Sequence, residues 1–528
     1  MPTQTIHDPV SGRDGRSVTA EPNRWAVLVL LSVAQLMVVL DATIVTVALP
    51  SAQRALHFTN ENRQWVVTAY ALAFGSLLLV GGKVGDLFGR KWALVVGLVG
   101  FAGASAVGGL AHSYDVLVAA RATQGVFGAL LAPAALSLLT VTFAGTEDWG
   151  RAFGIFGAVA GAGGALGLLL GGVLTQVLSW RWCLYVNVVI VVPTTLVALR
   201  LLVNQRPSDR PRIDIPGVLT WTLGLFALVF GFSNAETHGW GATATIVALV
   251  ASPLLLTSFV LIERRVEHPL MPLHIVWDRA RGGAYTALFM TGAGIFAVFL
   301  FLTYFLQANL GFSPLKTGLA FLPLSAVLII TSTTAQTRVI GRTGVKPLLL
   351  LGMALGVVGM LLFTQLTPTS SYGAGVLPGL LVIGVGLGCI FAPAFSAGTL
   401  GVAPNEAGIA SAMVNTSQQI GGSVGTSLLS TIYATAVTSY VTTHLHARGL
   451  LPAAQVHGDT TAFWWATGIF GLGFLLTLVI MPSRCEARTA TTLTALARHA
   501  IGNCNYDETE TGAAVTDSTG SPKPALAP

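Results

Sequence analysis

The stretch WAVLVLLSVAQLMVVLDATIVTVALP, Trp25 to Pro50, carries a single ionisable side chain, Asp41. As a helix, its 26 residues would extend about 39 Å, against a bilayer hydrocarbon core of about 30 Å. The segment therefore reads as a membrane span with a carboxylate at lipid depth. A charge there costs on the order of 2.5 kcal/mol or more, so such groups mark a bundle interior or a wet cavity where they have work to do. Among the 22 acidic residues no second one falls clearly inside an expected span, and among the 28 basic ones only Arg121 does.

The rest of the chain agrees with this opening. Hydrophobic residues make up 53% and charged residues 9%, and the mean hydropathy is +0.72; soluble domains carry about 25% charge. A polytopic, all-helical membrane protein is expected. Fourteen spans are read at 25–49, 65–82, 92–111, 115–141, 152–178, 182–203, 215–235, 242–262, 283–308, 317–337, 347–366, 374–399, 408–436 and 461–482. The first 24 residues lack the apolar core and cleavage site of a signal peptide, so the first span is expected to be retained.

Orientation follows from the basic residues. With the N-terminus inside, 22 of the 28 lie on cytoplasmic segments and 5 on the opposite side, with Arg121 inside a span, so both termini are expected in the cytoplasm. The net charge of +6 is then an insertion signal, and no nucleic-acid partner is expected. Cys183, Cys389, Cys485 and Cys504 have no metal-ligand spacing and suggest no disulfide framework.

A long-range repeat is visible. Gly89, Lys91 and Gly97 recur as Gly344, Lys346 and Gly352, an offset of 255; Gly128, Ala132, Pro133 and Ala134 recur as Gly388, Ala392, Pro393 and Ala394, an offset of 260. Span numbers shift by eight between the copies, so two extra helices separate two six-helix halves. Parallel repeats of this kind build many secondary transporters. The expected organisation is a tail over 1–24, a six-helix bundle over 25–203, an inserted pair with its linkers over 204–282, a second bundle over 283–482 and a disordered cytoplasmic tail over 483–528. The copies differ in charge: Asp86, Arg90 and Arg121 correspond to Gly341, Val345 and Leu381.

These residues carry a resemblance. GKVGDLFGRK (Gly82 to Lys91) resembles the signature loop of the major facilitator superfamily, and RATQGVFGA (Arg121 to Ala129) its fourth-helix motif. LDATIVTVALP (Leu40 to Pro50) is similar to the first-helix motif of the fourteen-span, EmrB/QacA-like drug:proton antiporters. GAVAGAGGALGLLLGG (Gly157 to Gly172) resembles their fifth-helix antiporter motif, followed by WRWCLYVN (Trp180 to Asn187). The two prolines usual in that fifth-helix motif are Gly164 and Leu168 here. The resemblance implies the major facilitator fold, two six-helix bundles with two extra central helices, and proton-coupled drug efflux by alternating access from the plasma membrane.

Helix arithmetic supports a pairing of Asp41 with Arg121. Asp41 lies about 13 Å below Pro50 and Arg121 about 9 Å below Asp115, at similar depth in the outer half. Burial penalises the ionised carboxyl while a guanidinium favours it, an opposition that suits a proton-exchanging group; a static ion pair joining spans one and four is the alternative. Gly82, Asp86, Gly89, Arg90 and Lys91 form an expected cytoplasmic gate, in which Asp86 could cap a neighbouring helix and Arg90 could reach a carboxylate such as Glu406. The alternative there is that Lys83, Arg90 and Lys91 only enforce topology. In span five, Gly163, Gly167 and Gly171 recur every four residues, as do Gly157 and Gly161, a smooth face that serves close packing or gating; Gly164 and Gly172 complete the glycines of the motif that resembles the antiporter helix. Gln35, Tyr70, Phe74, Gln124, Asn187, Tyr304, Gln307, Asn415 and Gln418 are candidate cavity residues, each of which could equally bond between helices.

GGSVG (Gly421 to Gly425) matches a nucleophile-elbow pattern but lies in an apolar helix with no strand before it, so no enzyme is expected. No nucleotide-binding loop is present; the expected energy source is a proton gradient, with no cofactor or metal and a monomeric state. A metabolite importer and a non-transporting membrane sensor are the competing readings. Because the expected spans nine to fourteen contain no carboxylate, the expected cargo is small and hydrophobic: neutral, weakly acidic or at most singly charged, in preference to dicationic.

Overall fold

A computed structural model describes residues 23–58, 65–203, 214–267, 269–444 and 450–483. Among them no strand occurs, and fourteen helices are long and apolar enough to cross a membrane. They are α1 (Arg24–Leu56), α2 (Trp65–Phe88), α3 (Arg90–Gly109), α4 (Tyr114–Phe143), α5 (Trp149–Val177), α6 (Trp182–Leu201), α7 (Ile215–Ala235), α8 (Thr243–Glu263), α9 (Arg279–Asn309), α10 (Leu315–Thr343), α11 (Val345–Phe363), α12 (Tyr372–Thr399), α13 (Pro404–Thr443) and α14 (Leu450–Ile480). The expected tails, up to residue 22 and from residue 484, lie outside the described residues, as do Cys485 and Cys504; Cys183 and Cys389 are buried free thiols.

Fourteen spans agree with the sequence reading, while several helices run past the ends read for them: α2 reaches Phe88, α10 Thr343 and α13 Thr443. α1 runs through Pro50 to Leu56. α14 begins at Leu450, eleven residues before the expected start. The reading placed that start at the rise in hydropathy near Thr461, whereas the helix opens with Pro452 in its first turn, a position where proline costs no internal hydrogen bond. His457 and Asp459 therefore lie inside a span, which overturns the expectation of a second half without a carboxylate. Asp86, too, sits in the last turn of α2 and not in a loop.

The chain forms two compact units, one made of Met1–Met271, Phe312–Leu322 and Gly401–Thr416, the other of Pro272–Gly311, Pro323–Leu400 and Ser417–Pro528. In the first, α1 packs along α5, α4 lies against α2 and α3, and α6 against α3 and α1. The inserted pair, α7 and α8, pack on each other and α7 leans on α2, where the Thr68 and Ser233 hydroxyls meet at 3.0 Å and the Trp65 and Phe230 rings at 6.0 Å. At its far end Lys83 donates to the Pro269 carbonyl (3.0 Å), and Glu263 accepts from the backbone N–H groups of Leu270 (3.1 Å) and Met271 (3.2 Å). In the second unit α11 packs on α12 and α14, and α9 on α14 and α12. Val189, Leu196, Leu223, Phe226, Val250 and Leu254 on α6 to α8 are exposed; so broad an apolar face is stable against lipid.

The repeat read from sequence is present in the geometry. Gly89 (φ 99°) and Gly344 (φ 86°) both hold the left-handed backbone region that glycine tolerates, and each caps the start of the following helix. Lys91 Nζ then donates to the carbonyls of Leu199 (2.9 Å) and Leu202 (2.6 Å) at the end of α6, as Lys346 Nζ donates to Met481 (2.8 Å) at the end of α14. An ammonium at a helix C-terminus meets unpaired carbonyls and the negative end of the dipole.

Candidate functional site

Asp41 and Arg121 are both fully buried, and Arg121 Nη1 donates to Asp41 Oδ2 at 2.6 Å. Desolvating two charges costs more than their attraction returns unless further hydrogen bonds satisfy the remaining atoms. Those bonds come from four helices. Asn187 Nδ2 on α6 (2.6 Å) and Gln124 Nε2 on α4 (3.2 Å) donate to Asp41 Oδ1. Arg121 also donates to Gln124 Oε1 (2.9 Å) and, through Nε, to the Val66 carbonyl on α2 (3.3 Å). Ser105 Oγ on α3 accepts from Gln124 and Asn187 at 3.0 Å each and donates to the Leu184 carbonyl at 2.8 Å.

Aromatic groups close the cage. The guanidinium carbon of Arg121 lies 4.5 Å from the centre of the Tyr70 ring, a cation–π contact strengthened by the dry setting, and Tyr70 stacks on Phe74 at 5.4 Å. Of the expected cavity residues, Tyr70, Phe74, Gln124 and Asn187 are thus gathered around the ion pair. Asn187 Oδ1 and the Tyr70 hydroxyl are buried without a hydrogen-bond partner among the described residues.

Behind Asp41, α5 presents its glycines to α1. A Cβ on Gly163 would meet Val39, one on Gly167 would lie 2.0 Å from Thr43 Oγ1 and 2.8 Å from the Leu40 carbonyl, and one on Gly171 would lie 2.9 Å from the Ile44 carbonyl. The stripe lets α5 touch the α1 backbone on both sides of the carboxylate. Gly157, Gly161, Gly164 and Gly172 are buried along the same continuous helix.

At the α2–α3 junction Arg90 Nη2 bonds Asp86 Oδ1 at 2.8 Å and also reaches the Pro404 carbonyl. Asp86 Oδ1 accepts the Gly408 N–H at 3.2 Å, so it caps the start of α13. Gly82 allows this approach: a Cβ there would sit 2.5 Å from the Gly408 carbonyl. Lys91 faces α6 instead, as described above, and does not join the Asp86–Arg90 contact.

The remaining candidates are scattered. Gln35 is buried on α1 with Oε1 unpartnered among the described residues. Asn415 bonds the Ser411 carbonyl of its own helix at 2.8 Å, and the Gln418 backbone carbonyl packs against Gly292. Tyr304 and Gln307 line a separate cavity with Asp459. Ser105 and Asp459 were missed from sequence. Ser105 is one of very few hydroxyls in an otherwise apolar span, the same kind of signal that picked out Asp41; Asp459 was hidden by the misplaced start of α14.

A sequence profile of the Major Facilitator Superfamily matches residues 31–426. The chain is 45% identical over 481 residues to the puromycin resistance protein pur8 of Streptomyces alboniger, covering 89% of this chain and 94% of that one. It is 39% identical over 425 residues to the cephamycin export protein CmcT of Amycolatopsis lactamdurans, covering 80% and 87%. Among solved structures, the human organic anion transporter MFSD10 (TETRAN) matches with a TM-score of 0.59 at 16% identity, over 86% of this chain and 100% of that one; that likeness is one of fold.

Proposed function

The chain belongs to the major facilitator superfamily, and from that premise we propose that it exports small hydrophobic antibiotics or drugs across the cell membrane in exchange for protons. The observation that carries the proton step is the buried Asp41–Arg121 pair with its cage of Gln124, Asn187 and Ser105. Ionised, Asp41 is held by three donors on two helices; protonated, it no longer balances Arg121, and the hydrogen bonds of α1, α4 and α6 must redistribute. A group whose two charge states favour two packings is what couples a proton to a conformational cycle.

Export is supported by the names of the two relatives, a resistance protein and an export protein. The excess of basic residues on alternate connections supports cytoplasmic termini. The contact of Asp86 and Arg90 with the start of α13 acts as a latch that the cycle opens and remakes. No cofactor is needed: the proton gradient supplies the energy.

Expression in a pump-deficient host tests the direction and the energy source together. Cells carrying the protein should hold less of a fluorescent hydrophobic drug than control cells, and a protonophore should remove the difference. Higher accumulation in the expressing cells would make the protein an importer.

A further inference from the structure

The second unit contains a cavity of about 430 Å³ that the proton machinery does not use. It is lined by Tyr304, Gln307 and Asn309 of α9, Tyr433 of α13, and Gln455 and Asp459 of α14, together with apolar groups. Its size falls in the range of small-molecule sites, about 300 to 1,000 Å³, and far exceeds the roughly 30 Å³ of one water. Tyr304 and Gln307 are exposed at its rim, while Asp459 is 1% exposed at its wall.

Asp459 is the unusual member. Its Oδ1 is buried with no hydrogen-bond partner among the described residues, and among those residues no Lys, Arg or His lines the cavity. His457, two residues away on α14, is exposed and packs its ring on Tyr440 at 5.0 Å. A buried carboxyl without a partner is favoured in its neutral form, and one that faces open space is free to ionise against a cation that enters there. The surroundings suit a soft organic cation. The Tyr304 and Tyr433 rings lie 6.1 Å apart, Tyr433 is backed by Phe301 in a stack at 5.2 Å, and the electron-rich faces of such rings attract ammonium groups. Gln307, Asn309 and Gln455 add amide oxygens. The last turn of α9 is wound as a π-helix over Phe305–Asn309, a local widening common at functional sites. No cluster of three metal-ligating side chains occurs among the described residues, which leaves a hard metal ion poorly served.

We propose that this cavity binds a hydrophobic organic monocation, an amine or quaternary ammonium compound, with Asp459 as countercharge and Tyr304 and Tyr433 as aromatic walls. One carboxylate balances one charge, so dications are disfavoured. The proposal rests on the efflux reading only in taking the occupant to be cargo.

Binding is measured on the purified full-length protein with two fluorescent probes, ethidium as the monocation and Nile red as the neutral compound. The ratio of their affinities should fall at least tenfold in Asp459→Asn and persist in Asp459→Glu; Tyr433→Leu should lower it and Tyr433→Phe should not. An unchanged ratio in Asp459→Asn overturns the proposal, and so does an equal loss of both probes, or an absence of ethidium binding in the parent protein. Aggregation of Asp459→Asn would shift the decision to the Tyr433 pair, which leaves the carboxylate in place. Because the readout is binding alone, failure here leaves proton-driven export of a neutral drug standing, and failure of export leaves the site standing.

Discussion

Asp41 and Asp459 are buried to the same degree, 0% and 1% exposed, yet their surroundings are opposite. Asp41 receives three donors from the chain itself, a guanidinium and two amides; Asp459 Oδ1 receives none among the described residues and faces a cavity. Burial therefore does not assign a role to a membrane carboxylate. What assigns it is whether the neutralising partner belongs to the protein, as at Asp41, or must arrive, as proposed for Asp459.

The largest effect should follow from breaking the self-satisfied pair. Arg121→Leu leaves Asp41 buried without its countercharge and should cost about 3 to 5 kcal/mol, read as a steep fall in thermal stability in detergent. Asp41→Asn with Arg121→Gln should recover most of that loss and no proton exchange. Asp459→Asn, by contrast, replaces a buried carboxyl that has no hydrogen bond to Oδ1 among the described residues and should leave stability equal or higher; a loss as large as that of Arg121→Leu would show that Asp459 has a partner within the chain.

A smaller effect is expected behind the pair. Gly167→Ala forces a methyl onto Thr43 Oγ1 and the Leu40 carbonyl, an overpacking worth about 1 to 3 kcal/mol. Adding Thr43→Ala should return only part of it, since the carbonyl remains; complete recovery would mean that the α5 stripe does not rest on the α1 backbone.

Next comes the latch. Asp86→Asn keeps an acceptor for Gly408 but removes the charge opposite Arg90, so transport should slow severalfold with drug binding retained, as read by separate binding and flux measurements. Weak binding with normal cycling would place the role of Asp86 elsewhere. The smallest effects belong to the feature that the two repeats share: Lys91→Met and Lys346→Met should each cost about 0.3 to 1 kcal/mol by uncapping a helix C-terminus, with similar melting shifts.

The legible parts of this molecule were those that hydropathy and helix arithmetic control. A span of lipid-compatible length makes its lone charge conspicuous, so Asp41 and Arg121 could be paired by depth alone, and the offset of Gly89 and Lys91 from Gly344 and Lys346 foretold two junctions of one geometry. Helix ends were less legible, because a polar first turn such as LPAAQVHGD can continue a helix past the point where hydropathy falls. That concealed Asp459, and with it the cavity that it lines in the second unit. Partner choice was the other gap: Gln124 and Asn187 could be named as polar groups in spans, but that both converge on Asp41 and Ser105 depends on helix rotation, which one sequence does not display. Arg90 showed the same limit, reaching the Pro404 carbonyl and Asp86 where the reading had aimed it at the side chain of Glu406.

Protons that enter through Asp41 in exchange for drug would be visible directly. In proteoliposomes loaded with a pH-sensitive dye, adding a neutral hydrophobic drug on one side should drive proton movement the other way in the parent protein and none in Asp41→Asn reconstituted to the same density. Drug-dependent proton movement at the parent rate in Asp41→Asn would contradict the account.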